Sequence, residues 1–173
     1  LYWFDAPTRS TTLLTDGKSR NFGPTWARSG KWFAYTSTRR NGKDTDVYVI
    51  NPAEPRSDRR LLELAGGGWR LSDVSIDESK LLLTEYISIN ESHLWLIDVK
   101  SAALERITPK TGEKISWSGA QFLKDGRSIF VTTDQDSEFQ RLCRHDLTTR
   151  ILTPLSPNLR WDVESFELSP DGK

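Results

Sequence analysis

Two histidines, one cysteine and a scatter of carboxylates are the side chains of this 173-residue chain whose types suggest covalent or metal chemistry. Their spacing supports neither. A serine hydrolase needs an exposed Ser on a strained turn, usually within GxSxG, and a His to take its proton. No GxSxG occurs, and His93 and His145 fall at a strand start and a strand end, where they read as ordinary strand residues. Zinc needs Cys and His ligands at close spacing, which Cys143 and two distant His do not supply. Cys143 reads as a small core residue. Asp44, Asp46, Asp134 and Asp136 are calcium ligands by type, but Asp44–Asp46 run straight into a strand and no EF-type loop with a terminal Glu follows. They read as solvated turn carboxylates. Gly66-Gly67-Gly68 lacks the Lys-Ser/Thr and helix of a phosphate cradle and reads as a flexible linker. No cofactor is expected. What remains is recognition by charged loops: Arg39, Arg40 and Asp44 in one, Asn90 and Glu91 in a second, Asp136 and Glu138 in a third. Arg39-Arg40 reads first as a solvated hairpin tip. These seven residues are the candidates for touching a substrate or partner.

The elements that must position them come from a repeat. Arg28-Ser29-Gly30-Lys31, Asp77-Glu78-Ser79-Lys80, Lys124-Asp125-Gly126-Arg127 and Pro170-Asp171-Gly172-Lys173 close on basic residues separated by 49, 47 and 46 positions. Apolar runs ending in Asp or Asn (LYWFD, VYVIN, LWLID, LCRHD) end at 5, 51, 98 and 146, so they recur every 46, 47 and 48. A third marker, Leu or Ile directly before Thr15, Glu63, Thr108 and Thr153, recurs every 48, 45 and 45 positions. Each unit reads as four short strands, among them Trp32–Ser37, Lys80–Tyr86 and Ser128–Thr133 as second strands, and Asp46–Ile50, His93–Asp98 and Arg141–Asp146 as third strands. Four strands in ~40–50 residues is the period of a β-propeller blade. Continuous apolar runs such as Leu81-Leu82-Leu83 fit strands covered on both faces, as blades stacked around a ring are. An open β-sandwich with accidental spacing is the competing fold. No sustained 3.6-residue periodicity predicts helices.

The chain is therefore expected to be all-β: one partial β-propeller domain over 1–173, with blade pieces at about 1–15, 23–64, 69–108, 117–153 and 161–173. Three blades are complete and those at both ends are broken, the pattern of a fragment from a ring of roughly six to eight blades. Uncovered terminal blades would promote self-association. Antiparallel order places the loops between second and third strands on the same face as the inter-blade linkers, with the tight turns opposite; binding groups belong on the long-loop face or in the central channel. Lys plus Arg and Asp plus Glu both number 24, so the net charge is zero and nucleic acid is not an expected partner. No apolar run approaches the ~20 residues of a membrane span, and a membrane is not an expected partner either. No signal peptide is visible in residues 1–10. The compartment stays open between the cytoplasm and the periplasm of a bacterium.

WARSGKWFAYTS, FLKDGRSIFVTTD and the terminal ELSPDGK resemble the W-S-P-D-G-K-x-I-A-F-x-S signature of TolB-like propeller repeats. The longer phrases TSTRRNGKDTDVYVINPAEPRSDRRLL, TEYISINESHLWLIDV and LTPLSPNLRWDVESFELSPDGK resemble the propeller of a branch of the prolyl oligopeptidase family. The first repeat departs from the signature with Ala-Arg-Ser-Gly and the second with Asp-Glu-Ser. The resemblance implies a serine-type peptidase parent. In it, a C-terminal α/β-hydrolase domain would hold the catalytic residues, and the propeller would cap that domain and admit short peptides. None of the catalytic motif lies here, so no catalytic residue carries over. The other reading is a TolB-like scaffold for protein–protein interaction, with no enzyme attached.

Overall fold

Four antiparallel sheets, each ordered as its strands occur in the chain, make up a computed structural model that describes residues 1–169. The first is a two-stranded piece, β1 (Tyr2–Asp5) and β2 (Ser10–Leu13). The first blade is β3 (Asn21–Trp26), β4 (Phe33–Ser37), β5 (Asp46–Asn51) and β6 (Glu54–Leu62). The second blade is β7 (Trp69–Val74), β8 (Lys80–Ser88), β9 (Glu91–Asp98) and β10 (Leu104–Arg106). The third is β11 (Trp117–Phe122), β12 (Ser128–Thr133), β13 (Arg141–Asp146) and β14 (Leu152–Pro154). No helix occurs among the described residues. The architecture is a partial β-propeller of four-stranded blades.

Two local devices set the repeat. Between first and second strands, Gly30, Glu78 and Gly126 sit 48 positions apart with φ of 68°, 59° and 65°. Each donates its N–H to the carbonyl three residues back, on Ala27, Ser75 and Leu123. The left-handed backbone suits glycine; Glu78 adopts it at a cost of about 1–2 kcal/mol. Between third and fourth strands, the Asp or Asn closing each apolar run turns the chain. The Asp98 carboxylate accepts from the N–H groups of Lys100 and Ser101 at 3.1 and 2.7 Å, and Asp146 accepts from Thr148 and Thr149 at 2.9 and 2.8 Å. Asn51 does the same for Ala53 at 3.0 Å. These bonds favour the ionised form and hold both Asp98 and Asp146 below the usual carboxylate range.

The chain falls into two compact units, Leu1–Leu71 and from Ser72 onward, with the boundary inside β7. In the first unit Leu14, Phe33, Tyr35, Tyr48 and Ile50 form a core that Leu1 and Trp3 pack against. Because β-strand side chains alternate, β1 turns Tyr2 and Phe4 the other way, where they are 71% and 60% exposed. In the second unit Leu82, Leu94 and Leu96 pack against Trp117, Ile129, Val131 and Cys143. Asp73 ties β7 to β11 by accepting the Phe122 N–H at 2.8 Å. The Leu81-Leu82-Leu83 run is fully buried.

Two expectations change. Ser88–Glu91 is not a long loop: Ser88 pairs with Glu91, leaving a two-residue turn, because β8 and β9 extend beyond the expected Tyr86 and His93. Residues 161–169 form no strand, since no second strand in the described chain pairs with them; Phe166 instead lies edge-on to Phe130, 6.2 Å between ring centres. The expected turn at 170–173 lies outside the described residues.

Candidate functional site

The loop between β4 and β5 carries Arg39, Arg40 and Asp44, and it is built inward from buried strand ends. Asp46, the first residue of β5, is fully buried and accepts the Leu64 N–H at 3.0 Å. A buried carboxylate needs a cation, and Arg40 supplies it: Nε lies 2.8 Å from Oδ2 and Nη2 3.2 Å from Oδ1. The same guanidinium donates to the Leu64 carbonyl at 2.9 Å and to Asp44 at 3.1 Å, and Asp44 accepts the Gly66 N–H at 2.9 Å. Asn41 also donates to Asp44, at 2.7 Å; that bond and the Gly66 bond hold its carboxyl below the usual range. Arg39 turns back over the sheet, its guanidinium 3.8 Å from the Tyr48 ring centre and ion-paired with Asp58. Tyr48 stacks on Tyr35, and the Tyr35 hydroxyl donates to Asp58 at 2.8 Å. Burial, reinforced by Asp58, keeps that hydroxyl protonated well above the usual phenol range.

The reading of Arg39-Arg40 as a solvated tip and of Asp44 and Asp46 as solvated carboxylates is therefore corrected. Strand pairing brings residues 18 to 24 positions apart into a closed clamp that ties the β4–β5 loop to the linker leaving the blade. Asp134 is likewise engaged, accepting the Ser116 N–H at 2.8 Å.

The remaining candidates sit apart from this clamp in the chain. Asn90 is exposed at the tip of the β8–β9 turn, while Glu91 opens β9 with Oε1 3.7 Å from His93 Nε2. His93 Nδ1 is 3.0 Å from Arg106 Nη2; burial first, and that guanidinium second, lower its pKa. Asp136 and Glu138 are exposed in the β12–β13 loop, and Asp136 has a φ of 56°.

Blade by blade, the loop between second and third strands lies beside the linker that leaves the blade. Thr45 donates its N–H to Gly66 at 2.9 Å, Ser92 to Ile115 at 3.0 Å, and Val163 donates to Gln140 at 2.9 Å. Each bond ties the start of a third strand to the linker leaving its blade. In the first unit this face holds an open cavity of about 410 Å³ whose wall includes Phe22, Thr36, Thr45, Trp69 and Leu71, with Gly23 and Gly67 leaving room where side chains would stand. Thr45 joins this cavity to the Arg40 clamp. The sequence pattern gave no sign of the cavity, because its walls come from β3, β4 and β7 together.

No family model matches the sequence, and no curated protein sequence does. Solved structures match the fold. TolB from Acinetobacter baumannii superposes with a TM-score of 0.73 at 18% identity, over 99% of this chain and 41% of that one. A prolyl endopeptidase, from a structural and mechanistic study of two such enzymes, gives 0.70 at 19%, over 92% of this chain and 25% of that one. Puromycin hydrolase gives 0.67 at 17%, over 89% and 26%. The chain thus spans less than half of the length of each. The fold is the one shared by TolB-like propellers and the propeller regions of prolyl oligopeptidase-type proteins.

Proposed function

From that shared fold, we propose that the chain is a non-catalytic propeller module that caps a serine hydrolase domain of an oligopeptidase-like parent and gates the entry of short peptides to it. The observation that carries this reading is the open, partly apolar cavity on the long-loop face, held beside a rigid clamp, in a fold that a prolyl endopeptidase and puromycin hydrolase share. Arg39, Arg40 and Asp44 act in it chiefly by fixing the loop, leaving Asn90, Glu91, Asp136 and Glu138 as the charged groups that meet a peptide or the hydrolase domain. The uncovered Tyr2 and Phe4 side chains support a further blade, or a second copy of the chain, against β1.

The test has two parts. This polypeptide alone leaves peptidyl chromogenic substrates intact, and the parent coding sequence continues into a GxSxG hydrolase domain. In that parent, Trp69→Ala widens the cavity and raises the rate on long peptides relative to short ones. A parent with no hydrolase domain, or an unchanged length preference, overturns the gating role.

The match to TolB, which covers 99% of this chain, favours a second reading as an interaction scaffold with no enzyme. A parent that ends within the ring, and whose loop-face variants lose a bound protein, is the outcome it requires.

A further inference from the structure

The third blade holds a polar cavity that shares only Asp136 with the residues assigned to peptide gating. It measures about 320 Å³ and lies against β13 and β14, lined among others by Gln135, Asp136, Arg141, Cys143, His145 and Trp117. Three of these side chains have buried polar atoms with no hydrogen-bond partner: Gln135 Oε1, Arg141 Nε and His145 Nδ1. Natural structures leave few such atoms unsatisfied, since each costs about 1–3 kcal/mol. Three around one cavity point to an occupant.

His145 is the sharpest signal. It is 2% exposed and lies 5.9 Å from the Trp117 ring centre. The register places it opposite Ile129, as Ile50 stands opposite Phe33 and Ile97 opposite Leu81. The other two blades fill this position with an aliphatic side chain, so packing at this position does not require an imidazole. Charge follows the same logic. Of the two guanidiniums lining the cavity, Arg150 is already paired with Glu105. Arg141 Nε is left buried without a partner, and among the described residues no ion pair joins it to Asp136. The residues around the cavity thus bring an unspent cation, an unpartnered imidazole nitrogen and amide oxygen, and a carboxylate, with apolar walls from Trp117, Cys143 and Leu152.

We propose that this cavity binds a small zwitterion, an α-amino acid with an apolar side chain. Its carboxylate accepts from Arg141 Nε and from His145 in the Nδ1–H tautomer. Its ammonium donates to Gln135 Oε1 and Asp136. Its side chain lies against Trp117 and Leu152. All three unsatisfied atoms gain partners, which a simple anion or a simple amine does not achieve.

The test uses histidine-selective NMR on the full chain, whose two histidines make His93 an internal control. L-norvaline, acetate and propylammonium are titrated separately. Norvaline shifts the His145 imidazole signals saturably and leaves those of His93 in place; acetate and propylammonium bind about tenfold more weakly or worse. His145→Ile, which installs the residue type of the other two blades and so preserves the fold, abolishes binding as read by calorimetry, and Arg141→Gln weakens it by about tenfold. No saturable His145 shift, the result expected of a cavity filled by water alone, overturns the proposal. Equal binding of acetate overturns the zwitterion, and norvaline binding that survives His145→Ile overturns the location.

Discussion

The first and third blades answer one structural position in opposite ways. Ladder register aligns Asp46 with Arg141, since Asp46 faces Ser37 and Arg141 faces Thr133. Counting three residues on from Ser37 and from Thr133, Arg40 aligns with Asp136. The charges are therefore exchanged between the blades. In the first blade the pair closes, because the carboxylate occupies the buried strand end, where it accepts the Leu64 N–H as well as the guanidinium. In the third the guanidinium occupies the strand end. It cannot accept a backbone N–H, and its partner at the loop tip stays exposed. Closure thus depends on which member of the pair can also satisfy the backbone, and opposite charge alone does not secure it. One blade gains a rigid loop from this position and the other retains a polar cavity.

Four measurements sharpen or break this comparison. Asp46→Ala removes the acceptor at the centre of the clamp and leaves the Leu64 N–H buried without a partner. A loss of about 3 kcal/mol in denaturant unfolding is expected, and a loss under about 1 kcal/mol would show that the loop is held by other contacts.

The second concerns His145→Ile, which replaces an unsatisfied buried polar side chain by the residue type of the other blades. Without ligand, a gain of about 1 kcal/mol near pH 6 is expected. Burial lowers the pKa of His145 in the fold from its ordinary 6.5. With a depressed folded value, the unfolded chain takes up the proton first as pH falls. Stability is therefore full above 6.5 and falls from there toward the folded pKa. His93 is shifted the same way and retains its share. The substitution therefore flattens the decline only in part, and an unchanged pH profile would place the His145 imidazole in water.

On the opposite face, Glu78→Gly gives the second blade the residue that Gly30 and Gly126 already supply. Relief of the left-handed backbone exceeds the added chain entropy by about 0.5 kcal/mol, seen as a rise in Tm. A drop would mean that the Glu78 side chain contributes more than its backbone costs. The smallest effect is expected at Arg141→Ala, where relief of the unpartnered Nε and loss of the side chain's packing offset each other to within about 0.5 kcal/mol in the absence of ligand. A large loss there would show that Arg141 is clamped as Arg40 is, and would end the contrast between the blades.

Much of the fold was written in short-range chemistry. Gly30 and Gly126 mark left-handed turns, and Asp98 and Asp146 supply turn oxygens a few residues ahead; both signals act within one hairpin, so spacing alone reveals them. Ser128–Thr133 and Arg141–Asp146 form strands over the residue ranges the pattern indicated. The tight Ile89–Asn90 turn was hidden, because polar Ser88 and Glu91 read as loop while their backbones still pair.

The sequence by itself determined the four-strand period, the positions of its turns and the all-β class, because each depends on residues close together in the chain. Tertiary structure alone decided that Arg40 is spent on Asp46 while Arg141 Nε is not, and that His145 stands at an aliphatic position beside Trp117. Those outcomes depend on which backbone groups and side chains arrive from other strands, and a charge or an imidazole looks the same in the sequence whether water or a buried partner will surround it.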